Sequence, residues 1–108
     1  MARYFRVSKR PLEKTEQGKI LRWLEEQGVY VFKTINANKA GVPDILCCVN
    51  GKFVALEVKR IGLEHNLTEA QKLNIGNIKA AGGVAEVVST LDDVKRLINN
   101  IYSQQEVS

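Results

Sequence analysis

Apolar residues recur at helical spacing early in the chain, then alternate, then return to helical spacing twice, and each change of period predicts an element boundary. Residues 11 to 27, PLEKTEQGKILRWLEEQ, carry an apolar stripe of Leu12, Ile20, Leu21, Leu24 and Trp23. Pro11 suits a first helical turn and Gly28 a C-terminal stop, so a helix is expected, weakened at Gly18 by about 1 kcal/mol relative to alanine. "VYVFKTI", 29 to 35, alternates and is rich in β-branched and aromatic residues, which predicts a strand. Two apolar runs then meet at Asn50-Gly51, a pair suited to a two-residue type I′ turn, and predict a hairpin. "LTEAQKLNIGNIKAAGG" predicts a second helix, with Thr68 as N-cap, Gln71 completing a capping box and Gly82-Gly83 ending it. "VAEVV", 84 to 88, reads as a short strand. The last helix is expected over 91 to 102, capped by Thr90 or Ser89, with Val94, Leu97, Ile98 and Ile101 on its apolar face. The order αβββαβα is that of an α/β domain with a mixed β-sheet flanked by helices. It divides into a basic arm (1–10), a body (11–102) and a tail (103–108) expected to fray.

The hairpin carries charge where burial argues against it. With Asn50 and Gly51 in the turn, Val49 faces Lys52 and, counting outward, Asp44 faces Glu57. Ile45, Cys47, Val49, Val54, Leu56 and Val58 share one face; Leu46, Cys48, Phe53 and Ala55 share the other, followed by the charges. Both faces are apolar over most of their length, so helices are expected on both. Directly opposed side chains have Cβ atoms about 4.5–5.5 Å apart, where like charges repel. A divalent cation between the two acids removes the conflict, because hard ions such as Mg²⁺ take carboxylate oxygens. Lys59, on the same face, cannot be the ion's ligand. Beside a bound metal its ammonium can orient or deprotonate a water, or stabilise charge that develops in a transition state. The plainer alternative has Lys59 neutralising Glu57 at a wet strand end, with Asp44 exposed.

Charge distribution adds a partner class. The net charge is +4. Residues 1 to 39 hold nine Lys or Arg against four Glu, whereas the remainder is slightly acidic. A basic arm of Arg3, Arg6, Lys9 and Arg10 suits a polyanion such as DNA, and equally a solvated segment that favours solubility. Lys33, Asn36 and Lys39, flanking the loop before Asp44, are further candidates for phosphate contacts. No apolar run approaches the roughly 20 residues that span a bilayer, and MARYFRVSKR lacks the apolar stretch of a secretory signal, so a cytoplasmic protein without membrane contact is expected. Cys47 and Cys48, adjacent on a strand, point to opposite faces and read as small core residues. With a single histidine, His65, and no C-x-x-C, structural zinc is not expected.

Gly41-Val42-Pro43-Asp44, Glu57-Val58-Lys59 and Leu67-Thr68-Glu69-Ala70-Gln71 together resemble the PD-(D/E)XK nuclease superfamily, in particular its VRR-NUC branch. That branch combines G-x-P-D, E-x-K and L-T-x-x-Q. Glu13, Gln17 and Gly28 are similar to its opening helix, and the resemblance covers nearly the whole chain. It implies the restriction-endonuclease-like core and metal-dependent hydrolysis of DNA phosphodiester bonds. By that analogy Asp44, Glu57 and the backbone carbonyl of Val58 hold Mg²⁺ or Mn²⁺, Lys59 assists the attacking water and Gln71 stands near the metal. Glu13 follows a 4-3-4 spacing with Gln17, Ile20 and Leu24 and is the first-choice acid from the opening helix, with Glu16 second. Members consisting of the nuclease domain alone resemble phage or bacterial enzymes acting on branched DNA, so a homodimeric Holliday-junction resolvase without small-molecule cofactor is the most specific expectation. The alternatives are a flap, single-strand or nicking nuclease, and a non-catalytic DNA-binding module.

Overall fold

The computed structural model describes residues 15–107, with side chains through Gln104. The basic arm and Glu13 lie outside the described residues. Seven elements follow in the expected order: α1 Glu16–Glu26, β1 Tyr30–Lys33, β2 Ile45–Val49, β3 Lys52–Val58, α2 Glu69–Ala80, β4 Val84–Val88 and α3 Leu91–Val107. The strands form one mixed sheet in the order β1-β2-β3-β4. The first three are antiparallel neighbours, and β4 runs parallel to β3. A parallel neighbour requires a crossover, which α2 supplies.

The hairpin is closed as its turn residues demand. Asn50 and Gly51 both take positive φ, 51° and 82°, the condition for a type I′ turn. Val49 pairs with Lys52 and Ile45 with Leu56, so the register is the expected one. Ile45, Cys47, Val49, Val54 and Leu56 are buried on one face. There they meet Ile20, Leu21 and Leu24 of α1 and Val94, Ile98 and Ile101 of α3 in a single core. Fully burying such a side chain contributes about 1.5–3 kcal/mol, so this face anchors the sheet.

Helices lie on both faces as expected, but the second face is covered only in part. Here α2 packs against β4 and the end of β3, while Tyr30, Phe32 and Phe53 remain exposed. Cys48 is likewise exposed and is not the core residue it was expected to be; Cys47 alone is buried. The physical reason is element count, since two helices serve the first face and a single twelve-residue helix serves the second. Burial holds the Cys47 thiol at about 12, well above the ordinary value, so it stays protonated and inert.

Element ends move in three places. The first helix begins at Glu16, because Thr15 is extended (φ −85°, ψ 152°) and its hydroxyl accepts the Gly18 N–H at 3.0 Å, a true N-cap. The first strand ends at Lys33, and Thr34 instead gives both its N–H and its hydroxyl to carbonyls of the loop before β2. The last helix runs five residues past its expected end, to Val107. At its start Thr90 Oγ1 accepts the Asp93 N–H at 3.2 Å, and Asp93 Oδ2 accepts the N–H groups of Ser89 and Thr90. Thr90 is therefore the cap.

Candidate active site

Asp44 sits one residue before β2, and its backbone is held from the end of β1. Thr34 N–H donates to the Asp44 carbonyl at 2.9 Å, and Thr34 Oγ1 donates to the carbonyls of Pro43 and Asp44 at 2.8 and 3.1 Å. Pro43 beneath it is buried. The carboxylate is also directed: its Oδ2 accepts the Val58 N–H at 2.9 Å. That bond ties Asp44 to the strand carrying Glu57 just beyond the last ladder pair.

Glu57 is 4% exposed. Its Oε2 accepts from Gln71 Nε2 at 3.1 Å and lies 3.8 Å from the Lys59 ammonium. Burial is the main cause that lifts its carboxyl from 4.5 to about 7; the negative charge of Asp44 adds to the rise, and Lys59 opposes it. The expected collision of two acids is therefore present in the folded chain. One lysine softens it without removing it.

Gln71 makes the capping box foreseen for it and also reaches Glu57. Its Oε1 accepts the Thr68 N–H at 2.9 Å while the Thr68 hydroxyl accepts the Gln71 N–H at 3.1 Å, a complete capping box. The remaining Nε2 reaches Glu57. The helix is brought to this place by Gly41, where φ is +80° and an added Cβ would stand 2.5 Å from the backbone of Ala70. Asn74 completes the attachment by donating to the carbonyls of Ala40 and Ala70 at 2.8 and 2.9 Å. Glycine is required at position 41 for both conformation and space.

Lys59 leaves β3 with its own N–H bonded to the Val88 carbonyl at 2.9 Å, so its side chain emerges where β3 and β4 end together. It lines a cavity of about 420 Å³ with Thr15, Glu16, Gln17, Arg60 and Ser89. Glu16 reaches this cavity but is otherwise engaged. Its Oε2 accepts the Leu91 N–H at 3.0 Å, satisfying the exposed start of α3, and its Oε1 lies 3.4 Å from Lys19. Among the described residues no three His, Cys, Asp or Glu side chains cluster around a common metal position. Asp44 and Glu57 thus supply two hard oxygen donors, and the first-choice third, Glu13, lies outside the described residues.

The other candidates scatter. Lys33 shares the core-side face with Ile45 and is exposed at the sheet edge. Asn36 and Lys39 are exposed in the loop before Asp44. Three contributors escape a sequence reading: Thr34, which clamps Asp44, Asn74, which staples α2, and Arg60, which lines the cavity. Thr34 and Asn74 act by hydrogen bonds to backbone, for which a sequence gives no spacing signal; the one signal for Arg60 is that it follows Lys59.

No protein-family model matches the chain, and no curated protein does. Two solved structures do share its architecture. One, described as a VRR_NUC domain, superposes with a TM-score of 0.58 at 24% identity, covering 79% of this chain and 96% of that one. The other, a VRR_NUC domain protein, gives 0.60 at 23% identity, covering 79% and 85%. The chain has the VRR_NUC domain fold. In this VRR_NUC fold the G-x-P-D loop, the E-x-K strand and the L-T-x-x-Q helix start converge on one sheet end, with Asp44, Glu57, Lys59 and Gln71 around a common point. Among the described residues no helix is long and apolar enough to cross a membrane.

Proposed function

We propose that this VRR_NUC-fold chain is a divalent-metal-dependent endonuclease that hydrolyses phosphodiester bonds in DNA, and most specifically a homodimeric resolvase of four-way junctions. The observation that carries the reading is the Glu57 carboxyl, buried beside Asp44 and raised to about 7, with a lysine 3.8 Å away that does not neutralise it. Buried charge of this kind clusters at functional sites. It is also the donor set a hard cation completes, so Asp44, Glu57 and the Val58 carbonyl fit Mg²⁺ or Mn²⁺, with Glu13 as a further acid. A metal bound there would supply Lewis-acid polarisation of the phosphate and a water of lowered pKa.

The chain's own groups have separable tasks. Gln71 holds one Glu57 oxygen and so fixes which lone pairs remain available. Lys59 faces the 420 Å³ cavity, where its ammonium can orient the attacking water and stabilise the extra negative charge on phosphorus. Arg60, on the same cavity wall, offers a bidentate fork to a neighbouring phosphate. In the reaction a water oxygen bonds to phosphorus, the P–O bond to the leaving sugar oxygen breaks, and the water's proton ends on solvent or that oxygen. Resolution of a junction needs two symmetric cuts, which a two-fold dimer provides. The basic arm and Lys39 would track the phosphates.

The test is cleavage of a four-way junction, a flap and plain duplex at equal concentration with Mg²⁺, with Glu57→Ala as control. The expected result is paired symmetric cuts in the junction and at least a hundredfold loss in the variant, the scale of one catalytic group. Preference for flaps or duplex would replace the resolvase assignment by a flap or nicking enzyme. Equal rates for the variant and the parent protein would overturn the site.

A further inference from the structure

We propose that the groove between α2 and the hairpin-turn end of the second sheet face is a subsite for one unpaired nucleobase of the substrate strand. The groove measures about 280 Å³ and is lined by Lys39, Phe53, Asn74, Asn77, Ile78 and Gly83, with no acidic side chain on its wall. Three of these groups suit a nucleotide, two its base and one its phosphate. The Phe53 ring, 49% exposed, is a stacking surface. The Asn77 carboxamide, without a side-chain partner among the described residues, offers a donor and an acceptor to a base edge. The Lys39 ammonium, with no ion pair among the described residues, suits a phosphate.

The ring is also held in place. An added Cβ at Gly83 would meet Ile78 at 2.9 Å and Phe53 at 3.2 Å, so glycine lets the ring edge seat against α2 while the rest stays open. A ring fixed before a base arrives loses little rotamer entropy on stacking. Tyr30 lies in the same cross-strand row, opposite Cys48, which is opposite Phe53. Its ring packs edge-on against Phe32 with centroids 6.2 Å apart, extending the aromatic surface toward the sheet edge. Phe53 and Glu57 lie on the same face four residues apart along β3, about 13 Å at the usual rise. One strand can therefore occupy the groove and the Asp44–Glu57 site together. An unpaired base is needed because a base inside a duplex has no free face to stack, which ties this subsite to branched or single-stranded DNA.

The inference rests on the nuclease reading, and a measurement without divalent ions keeps the two separable. The full-length protein in EDTA is titrated into a single-stranded oligonucleotide carrying 2-aminopurine, whose fluorescence falls on stacking, and into an abasic strand of the same length and charge. Fluorescence quenching is expected, with roughly tenfold weaker binding of the abasic strand and a similar loss for Phe53→Leu, the scale of one stacked base. Asn77→Ala, an exposed helix position, should weaken binding severalfold; together with the abasic strand it decides the matter if Phe53→Leu fails to fold. Equal affinity for abasic and base-containing strands overturns the subsite. So does a Phe53→Leu protein that folds, binds DNA normally and loses only self-association, which would make the groove an interface between copies. Cleavage with base-blind binding would sink this proposal alone; base-sensitive binding with no cleavage in Mg²⁺ would sink the nuclease reading alone.

Discussion

Replacing Glu57 by glutamine should stabilise the cation-free protein, and only at pH values where the native carboxyl ionises. Glu57 is almost fully buried, and its carboxyl is raised from 4.5 to about 7 by burial and then by Asp44. Below pH 4.5 the group is neutral in both folded and unfolded chains, and its favourable contribution is fully present. Between 4.5 and 7 the unfolded chain ionises and the folded one resists, so stability falls as pH rises; above 7 the whole difference has been lost. At 1.36 kcal/mol per pK unit the difference is at most about 3 kcal/mol. Glutamine keeps an oxygen for the Gln71 Nε2–H and removes the charge facing Asp44. Thermal melts by circular dichroism in EDTA should show near-equal stability of variant and parent at about pH 4.5. At about pH 8 the variant should melt up to about 12–24 °C higher, taking roughly 4–8 °C per kcal/mol for a domain of this size. A difference independent of pH, or a variant less stable than the parent in alkaline buffer, would refute the account of the pair.

Three other outcomes follow from the same geometry. Gly41→Ala forces a β-carbon against Ala70 at positive φ, and should cost more than about 2 kcal/mol, seen as a lower urea midpoint at unchanged m; a loss under about 0.5 kcal/mol would contradict the packing. Lys59→Met should lower kcat by about 10²–10⁴ while leaving cation binding intact, and an unchanged rate would remove Lys59 from the chemistry. Neutral replacements of Arg3, Arg6, Lys9 and Arg10 should flatten the dependence of log K on log salt by about 0.7–0.9 for each phosphate no longer neutralised, and an unchanged slope would leave the arm a role in solubility only.

Much of this arrangement is legible in the residues, and the reasons are local. Asn50-Gly51 dictates a turn that only positive φ can make, and once that turn is placed the period of two fixes every partner up to Ile45 and Leu56. Thr68 and Gln71 likewise announce their capping box by spacing alone. What escapes depends on distant partners. The true start of α1 at Glu16, capped by Thr15, competes with the helix-compatible Pro11, and spacing does not choose between them. The occupation of Glu16 by the Leu91 N–H joins positions 75 residues apart, beyond the reach of any periodicity. The exposure of Cys48 and Phe53 reflects how much of a face one helix covers, a property of the assembled sheet and not of either strand.

The most direct measurement is a Mn²⁺ titration of the full-length protein followed by electron paramagnetic resonance, in which the free-ion signal disappears as metal binds. Uptake by the parent protein, reversed by excess Mg²⁺ and abolished by both Asp44→Asn and Glu57→Gln, is the result predicted here. Undiminished uptake in both variants would show that the two acids do not form a cation site, and the proposed catalytic centre would fall with them.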